Sequence, residues 1–308
     1  MADYLDITLT CNGNTLTFGT DSSGKKREFA ITAIEGLEAS ELEITTSGNA
    51  LLDGATVDGK RIKERSVHLE AILRSGTANA ANRQRIIKFF NPKHTGTMTV
   101  DHSGVERAID YEIEGWTFTD DANLNAITRL RLSVDLICAD PFLRDIDDFG
   151  KNIADITPLF AFPWCVLAEK AYDTPDTYKC LNLAGQAAGY KTLNTNVLLN
   201  NDGDVPCGLQ IKFVASRGPA TGPKITHTGT GSYMHVNVEM EQGDVLLIDT
   251  TDRNQIIELN GVNVYQYIDR LSEPFKLEVG ENYLTYDADE NYSNLDVVLY
   301  YTPLYLGV

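Results

Sequence analysis

Side-chain alternation with a period of two residues constrains the fold of this chain more than any other feature. The clearest run spans residues 128–138, where the apolar members are Leu130, Leu132, Val134, Leu136 and Cys138. Arg129, Arg131, Ser133 and Asp135 occupy the positions between them. Residues 67–74 and 109–114 repeat the pattern. This periodicity predicts strands that bury one face in a core.

Turn-forming residues separate these runs. Asn12-Gly13 and Asn260-Gly261 each lie between apolar runs, as in tight hairpins. Further turns are predicted at Asp53-Gly54, Asp58-Gly59, 101–104, 242–244 and Gly280 after the run Phe275, Leu277, Val279. Short strands with turns at this spacing predict a β-sandwich or jelly roll in the C-terminal half.

One segment has helical periodicity. Thr77 is a suitable N-cap for a helix from Ala78, and Asn91-Pro92 is a suitable stop. The run contains four large apolar residues, Ile86, Ile87, Phe89 and Phe90. We expect all four to pack on a sheet.

The pattern changes after Asp140-Pro141-Phe142, where a proline-rich, loop-rich stretch begins. Three segments are predicted: an N-terminal domain over 1–143, a linker or arm over 144–189, and a C-terminal domain over 190–308. The formal net charge of −18 disfavours binding to nucleic acid and to anionic membranes. It suits a soluble protein, or a surface that must not hold DNA passing nearby.

The five cysteines are Cys11, Cys138, Cys165, Cys180 and Cys207. No C-x-x-C pair exists, so we expect reduced thiols without a zinc or redox site. The first nine residues carry charges and do not form a signal peptide, and no stretch has the apolar length of a membrane span.

The search for chemistry predicts no catalytic residue, no cofactor and no metal site. The five histidines, His68, His94, His102, His227 and His235, lack metal-ligand spacing. Gly229-Thr230-Gly231 is interpreted as a turn. Asp202, Asp204, Asp249 and Asp252 have the oxygen ligands that calcium prefers, but turn formation explains them equally well.

The aromatic residues bear on whether the chain binds sugar. Trp116 and Trp164 lie outside the predicted C-terminal domain, which contains nine tyrosines. These are Tyr233, Tyr265, Tyr267, Tyr283, Tyr286, Tyr292, Tyr300, Tyr301 and Tyr305. Tyrosine serves protein interfaces and cores as well as sugar platforms, and the first two roles are favoured here.

The order of short motifs along the chain resembles the phage tail family that includes siphophage distal tail proteins. The N-terminal motifs are residues 65–69 (RSVHL), 83–92 ending in FFNP, and 137–142 (ICADPF). The C-terminal motifs are 201–204 (NDGD), 242–244 (QGD), 248–250 (IDT), 280–282 (GEN) and the ending 300–308. The resemblance runs nearly end to end and is poorest over 153–189.

This resemblance implies a mainly β protein with two modules. The N-terminal one would be a sandwich-like or barrel-like, ring-forming domain with one helix. The C-terminal one would be a galectin-like β-sandwich of the jelly-roll type. It further implies a non-enzymatic hub. Its copies would form a homo-oligomeric, hexameric ring that joins the tail tube to tail-tip, tail-associated lysin or fibre proteins around a lumen for DNA. Such a protein would reside in the virion tail tip or baseplate after assembly in the host bacterial cytoplasm, without membrane or sequence-specific nucleic-acid binding.

Two other functions remain open. The C-terminal sandwich would serve a host-glycan-binding protein if its tyrosines formed a sugar platform. The abundant carboxylates also permit a glycoside hydrolase, although no pair stands out.

Overall fold

In the computed structural model of the chain, the residues described are 4–38, 40–48, 53–74, 80–119, 130–146, 149–152, 156–158, 166–170, 178–181, 189–191, 195–252 and 255–308. They are mainly strands, as predicted. The first elements are β1 (Leu5–Cys11), β2 (Asn14–Gly19), β3 (Phe29–Glu35), β4 (Leu42–Gly48), β5 (Ala55–Ile62), β6 (Arg65–Leu73), α1 (Ala80–Phe89), β7 (Gly96–His102), β8 (Val105–Thr119), β9 (Arg131–Cys138) and β10 (Leu143–Arg144).

The later elements include two single-turn 3-10 helices, η1 and η2. In chain order they are β11 (Phe149–Asn152), β12 (Ile156–Pro158), β13 (Val166–Lys170), β14 (Tyr178–Leu181), β15 (Gly189–Lys191), β16 (Asn196–Asn201), β17 (Gln210–Ala215), β18 (Ala220–His227), β19 (Tyr233–His235), β20 (Glu239–Met240), β21 (Val245–Asp249), β22 (Ile256–Leu259), β23 (Val262–Asn263), η1 (Tyr265–Tyr267), β24 (Gly280–Glu290), η2 (Tyr292–Asn294), β25 (Leu295–Tyr301) and β26 (Leu304–Tyr305).

The chain forms two compact units. The barrel unit comprises Met1–Asp148, Asp202–Cys207 and Thr302–Val308, and the second unit comprises Phe149–Asn201 and Gly208–Tyr301. The predicted domain limits at residues 143 and 189 stay a prediction, because much of the intervening segment lies outside the described residues.

A closed sheet builds the barrel unit. Its seven strands follow the order β8-β7-β1-β2-β3-β6-β9, and β9 pairs again with β8 to complete the ring. The β2–β3 contact is parallel and rests on one residue pair, Phe18 and Phe29, whose rings stack at 4.9 Å. β10 and β26 extend the sheet beyond β8.

The predicted alternation fills the interior of the barrel. Leu130, Leu132, Val134, Leu136 and Cys138 are all at most 1% exposed. The hairpin at Asn12-Gly13 forms as predicted, with both residues at positive φ and Cys11 paired with Asn14.

Two details of the barrel unit differ from the sequence prediction. Asp58-Gly59 is not a turn but lies within β5, where the pairing with β4 shifts at a bulge. Ile87 is 41% exposed, because only Ile86, Phe89 and Phe90 share the buried face of α1 at spacings of three and four. Thr77 and Ala78 lie outside the described residues.

The second unit contains a six-stranded sheet, β11-β25-β17-β21-β22-β23, and a sheet of β16-β24-β18-β19 with β20 on β18. Two-stranded sheets join β12 to β15 and β13 to β14. Strands of both larger sheets bury alternate residues, such as Ile211 and Phe213 on β17 and Leu284 and Tyr286 on β24. The galectin-like character of this unit stays a prediction.

The segment Phe275–Val279 is not a strand, although its alternation predicted one. Backbone groups of this segment form hydrogen bonds with side chains and do not form a strand ladder. The Leu277 carbonyl accepts from the Asn201 amide, and Glu278 N–H donates to Asn282 Oδ1. Gly280 accordingly begins β24 and does not end a preceding strand.

Candidate assembly surfaces

The most exposed regular element of the described chain is the hairpin of β4 and β5. Every residue of β4 and all but the last of β5 are exposed. The two strands pair only with each other, in a sheet separate from the barrel. Since an isolated two-stranded hairpin is marginal in water, this element has the character of an arm that a contact would complete.

The arm has two chemically different faces. Cross-strand pairing places Leu42, Ile44 and Val57 on one face, and these side chains are 50–53% exposed. The other face pairs Arg61 with Glu43, whose nitrogen and oxygen lie 2.9 Å apart. Exposed ion pairs contribute little stability, whereas a row of exposed apolar side chains favours contact with another surface.

The wall of the barrel carries a transverse row of charged residues on three adjacent strands. Glu35 on β3 pairs with His68 on β6, which pairs with Asp135 on β9. His68 Nδ1 lies 2.5 Å from Asp135 Oδ1, and its Nε2 lies 3.6 Å from Glu70. The hydrogen bond to Asp135 raises the pKa of His68 above its ordinary value. This row makes the wall locally acidic.

Buried polar residues hold segments together within the barrel unit. The Arg65 side chain is buried, and its three nitrogens donate to carbonyls of Pro141 at 2.8 Å, Gly36 at 2.7 Å and Leu306 at 2.6 Å. Burial lowers the pKa of this guanidinium. Sequence reasoning quoted Arg65 within a motif but missed this role.

The histidines and aspartates considered as metal ligands are not brought together. Among described residues, no group of three or more His, Cys, Asp or Glu is arranged to hold a metal ion. Asp204 accepts Leu306 N–H in the barrel unit, whereas Asp249 accepts Thr251 N–H in the second unit. Asp252 pairs with Lys276 at 2.7 Å. These aspartates therefore stabilise turns and chain crossings.

Two histidines of the second unit also have structural partners. His227 is buried and accepts Thr230 N–H at Nδ1, so the ring is the Nε2–H tautomer that donates to Asn282 at 3.0 Å. His235 lies 3.2 Å from Asp289.

The cysteines show the burial expected of structural thiols where they are described. Cys11, Cys138 and Cys207 are buried, and burial raises the pKa of Cys138 to about 11. A thiol with such a pKa is inert at neutral pH. Cys165 lies outside the described residues, as does the side chain of Cys180.

The aromatic residues divide between core and surface. Trp116 packs between Phe90 and Phe118, with ring centroids 5.7 and 5.2 Å away, so it is not a sugar platform. Tyr286 is fully buried. Tyr265, Tyr267, Tyr283, Tyr292 and Tyr300 are exposed. Trp164 lies outside the described residues.

Comparison with known proteins shows which family the C-terminal part of the chain resembles. Residues 202–305 match the family model described as "Siphovirus-type tail component, C-terminal domain". No curated protein matches the sequence. The fold is similar to that of the phage SPP1 Dit protein (gp 19.1), whose crystal structure is described as a paradigm of the hub adsorption apparatus in phages infecting Gram-positive bacteria. That match has a TM-score of 0.64 at 14% identity and covers 97% of this chain and 99% of the SPP1 chain.

The predicted resemblance to siphophage distal tail proteins is confirmed. A chain of the phage P2 baseplate in its activated conformation with Ca is also similar, at 11% identity and a TM-score of 0.48, over 98% of both chains. The matched family model describes a tail component. A structural role in a tail is also what the sequence predicts. In the described part of the chain, each helix is too short or too polar to span a bilayer.

Proposed function

We propose that this chain is the distal tail hub of a long-tailed phage or prophage. Copies of it form a closed hexameric ring that joins the tail tube to tail-tip, lysin or fibre proteins. DNA leaves through the lumen of the ring. The protein is assembled in the host cytoplasm and acts in the virion tail tip without a catalytic step.

The exposed arm of β4 and β5 is the observation that carries this proposal. The arm is a separate sheet outside the closed barrel ring, so its exposed strands are available for contacts between copies. The apolar face of the arm, at Leu42, Ile44 and Val57, is removed from water when it meets another copy. A ring requires such a heterologous contact, in which different surfaces meet.

The acidic balance supports the conduit role. A net charge of −18 disfavours the phosphate contacts that would hold DNA inside a passage. The acidic row of Glu35, Asp135 and Glu70 shows that the barrel unit contributes to this balance.

The test compares assembly of the full chain with that of two matched triple variants by mass photometry, alone and with the tail-tube and tail-tip proteins. The arm variant carries Leu42→Ser, Ile44→Ser and Val57→Ser. The control carries Val262→Ser, Leu271→Ser and Val279→Ser, which are apolar residues of the second unit that are at least as exposed.

We expect rings from the wild type and the control, and monomers from the arm variant. A wild type that stays monomeric with both partner proteins present contradicts the hub function. Rings formed by the arm variant as readily as by the wild type contradict the role of the arm.

A further inference from the structure

A shallow groove lies on the outer face of the six-stranded sheet of the second unit. It has a volume of about 560 Å³ and is lined by residues of β25, β17, β21, β22 and the β22–β23 turn. Sequence reasoning did not select it, because its residues come from four strands separated by up to 90 positions. Its volume falls in the range typical of small-ligand sites, roughly 300–1,000 Å³.

The register of the sheet sets the chemistry of the groove. Lys212, Leu247 and Glu258 are successive cross-strand neighbours on β17, β21 and β22. The cation and the carboxylate thus lie two strand spacings apart, about 10 Å between backbones, with a leucine between them. Neither charged group makes an ion pair or side-chain hydrogen bond within the described residues.

An aromatic ring and an oriented amide complete the lining. Tyr300 on β25 is 39% exposed and pairs with Gln210 on β17. Gln210 Nε2 donates to Asp249 at 2.9 Å, which fixes the amide and leaves its carbonyl oxygen as an acceptor. The groove therefore offers a donor, two acceptors, an aliphatic surface and a ring.

We propose that this groove binds a saccharide. A pyranose has one apolar C–H face, suited to Leu247 and Tyr300, and a rim of hydroxyls that both donate and accept. Lys212 donates to such hydroxyls, whereas Glu258 and Gln210 accept from them. A protein interface is less suited to this groove, since such interfaces are depleted in charged residues near their centre, and here two charged residues flank the central leucine.

The groove goes beyond the proposed hub function and does not depend on it. Ring formation is measured by mass, whereas the groove is measured by ligand binding, so failure of one leaves the other standing.

Saturation-transfer NMR and calorimetry on the full chain provide the test. The probes are soluble oligosaccharides of glucose, galactose, N-acetylglucosamine and rhamnose, and purified bacterial wall polysaccharide. Three groove variants are compared with wild type: Tyr300→Ala, Lys212→Ala and Glu258→Gln. The control is Tyr283→Ala, an exposed tyrosine on the other sheet.

We expect saturable binding to at least one probe, weakened about tenfold or more by Tyr300→Ala and unchanged in the control. Loss of affinity in Lys212→Ala and Glu258→Gln with an unchanged melting temperature extends the support to the polar rim. The proposal is overturned if no probe binds at millimolar concentration or if Tyr300→Ala binds as wild type does. It is equally overturned if the groove variants lose a tail-protein contact and no sugar affinity.

Discussion

The barrel unit and the second unit hold their chain segments together by different chemistry. In the barrel unit, a buried cation, Arg65, donates to three backbone carbonyls. In the second unit, a neutral amide, Asn282, donates to Glu278 and Gly280 carbonyls and accepts from Glu278 N–H and His227. Both side chains are 1% exposed.

The difference follows from the distances in sequence that each residue spans. The carbonyls bound by Arg65 are 29, 76 and 241 positions away, so a long side chain with several diverging donors is required. Most partners of Asn282 lie within four positions of it in sequence. A short amide can therefore bind them without burying a charge. At these two sites, the carbonyls that lie far apart in sequence are bound by a charged group, and the local turn is held by a neutral one.

Replacing Arg65 should have the largest effect on the free energy of unfolding. A small effect would contradict the contrast between the two units. Arg65→Met keeps much of the volume but leaves three carbonyls without their donors, of which the Pro141 carbonyl is buried. We expect a loss of about 3–5 kcal/mol in the free energy of unfolding, measured by urea denaturation. Arg61→Met on the exposed arm is the control and should change stability by less than about 0.5 kcal/mol. A loss below about 1 kcal/mol for Arg65→Met would show that the guanidinium is dispensable.

Removing the neutral amide should cost less than removing the buried cation. Asn282→Ala deletes bonds to two carbonyls and leaves Glu278 N–H and His227 Nε2–H without their acceptor. We expect a loss of about 2–3 kcal/mol, read from the unfolding transition of the second unit. Asn263→Ala removes a single exposed bond to Tyr265 N–H and serves as the control. Equal effects of the two variants would argue against the amide network.

The smallest effect should come from the surface pair of His68 and Asp135, and it should depend on pH. Because the folded-state pKa of His68 is raised, its stabilisation is complete below pH 6.5 and is lost as pH rises through the folded-state pKa. The pair is partly exposed, so the change should stay below about 1 kcal/mol. Unfolding curves of His68→Gln, Asp135→Asn and the double variant from pH 5 to pH 9 measure it. Additive effects of the two substitutions would exclude a direct interaction.

Local patterning was sufficient to predict much of the fold. Period-two alternation correctly predicted the buried residues of β9, and Asn12-Gly13 correctly predicted a hairpin. Both features depend on neighbouring residues alone. Ile87 was placed wrongly because the prediction counted apolar residues and did not resolve which of them share a helix face. Asp58-Gly59 favours a turn locally, but pairing along the arm keeps it within a strand.

Features that depend on long-range pairing could not be predicted. Closure of the barrel requires the single parallel contact of Phe18 with Phe29, which no local pattern encodes. Burial of Arg65 is equally hidden, since backbone carbonyls carry no sequence signal. The groove escaped notice for the same reason, because Tyr300 meets Gln210 only through strand register.

The pairing of β10 with β26 bears on how such chains diversify. These strands are antiparallel neighbours, and Asp145 N–H donates to the Pro303 carbonyl at 3.3 Å. The stretch between them is therefore an insertion whose two ends are anchored side by side, apart from a brief return at Asp202–Cys207. Insertions of this geometry are exchanged with little disturbance to their host. A lineage of such chains can thus replace the second unit while it keeps the same barrel. An exchange that shifts the reading frame removes β26 and the Leu306 carbonyl that Arg65 binds. Such an exchange therefore also destabilises the barrel.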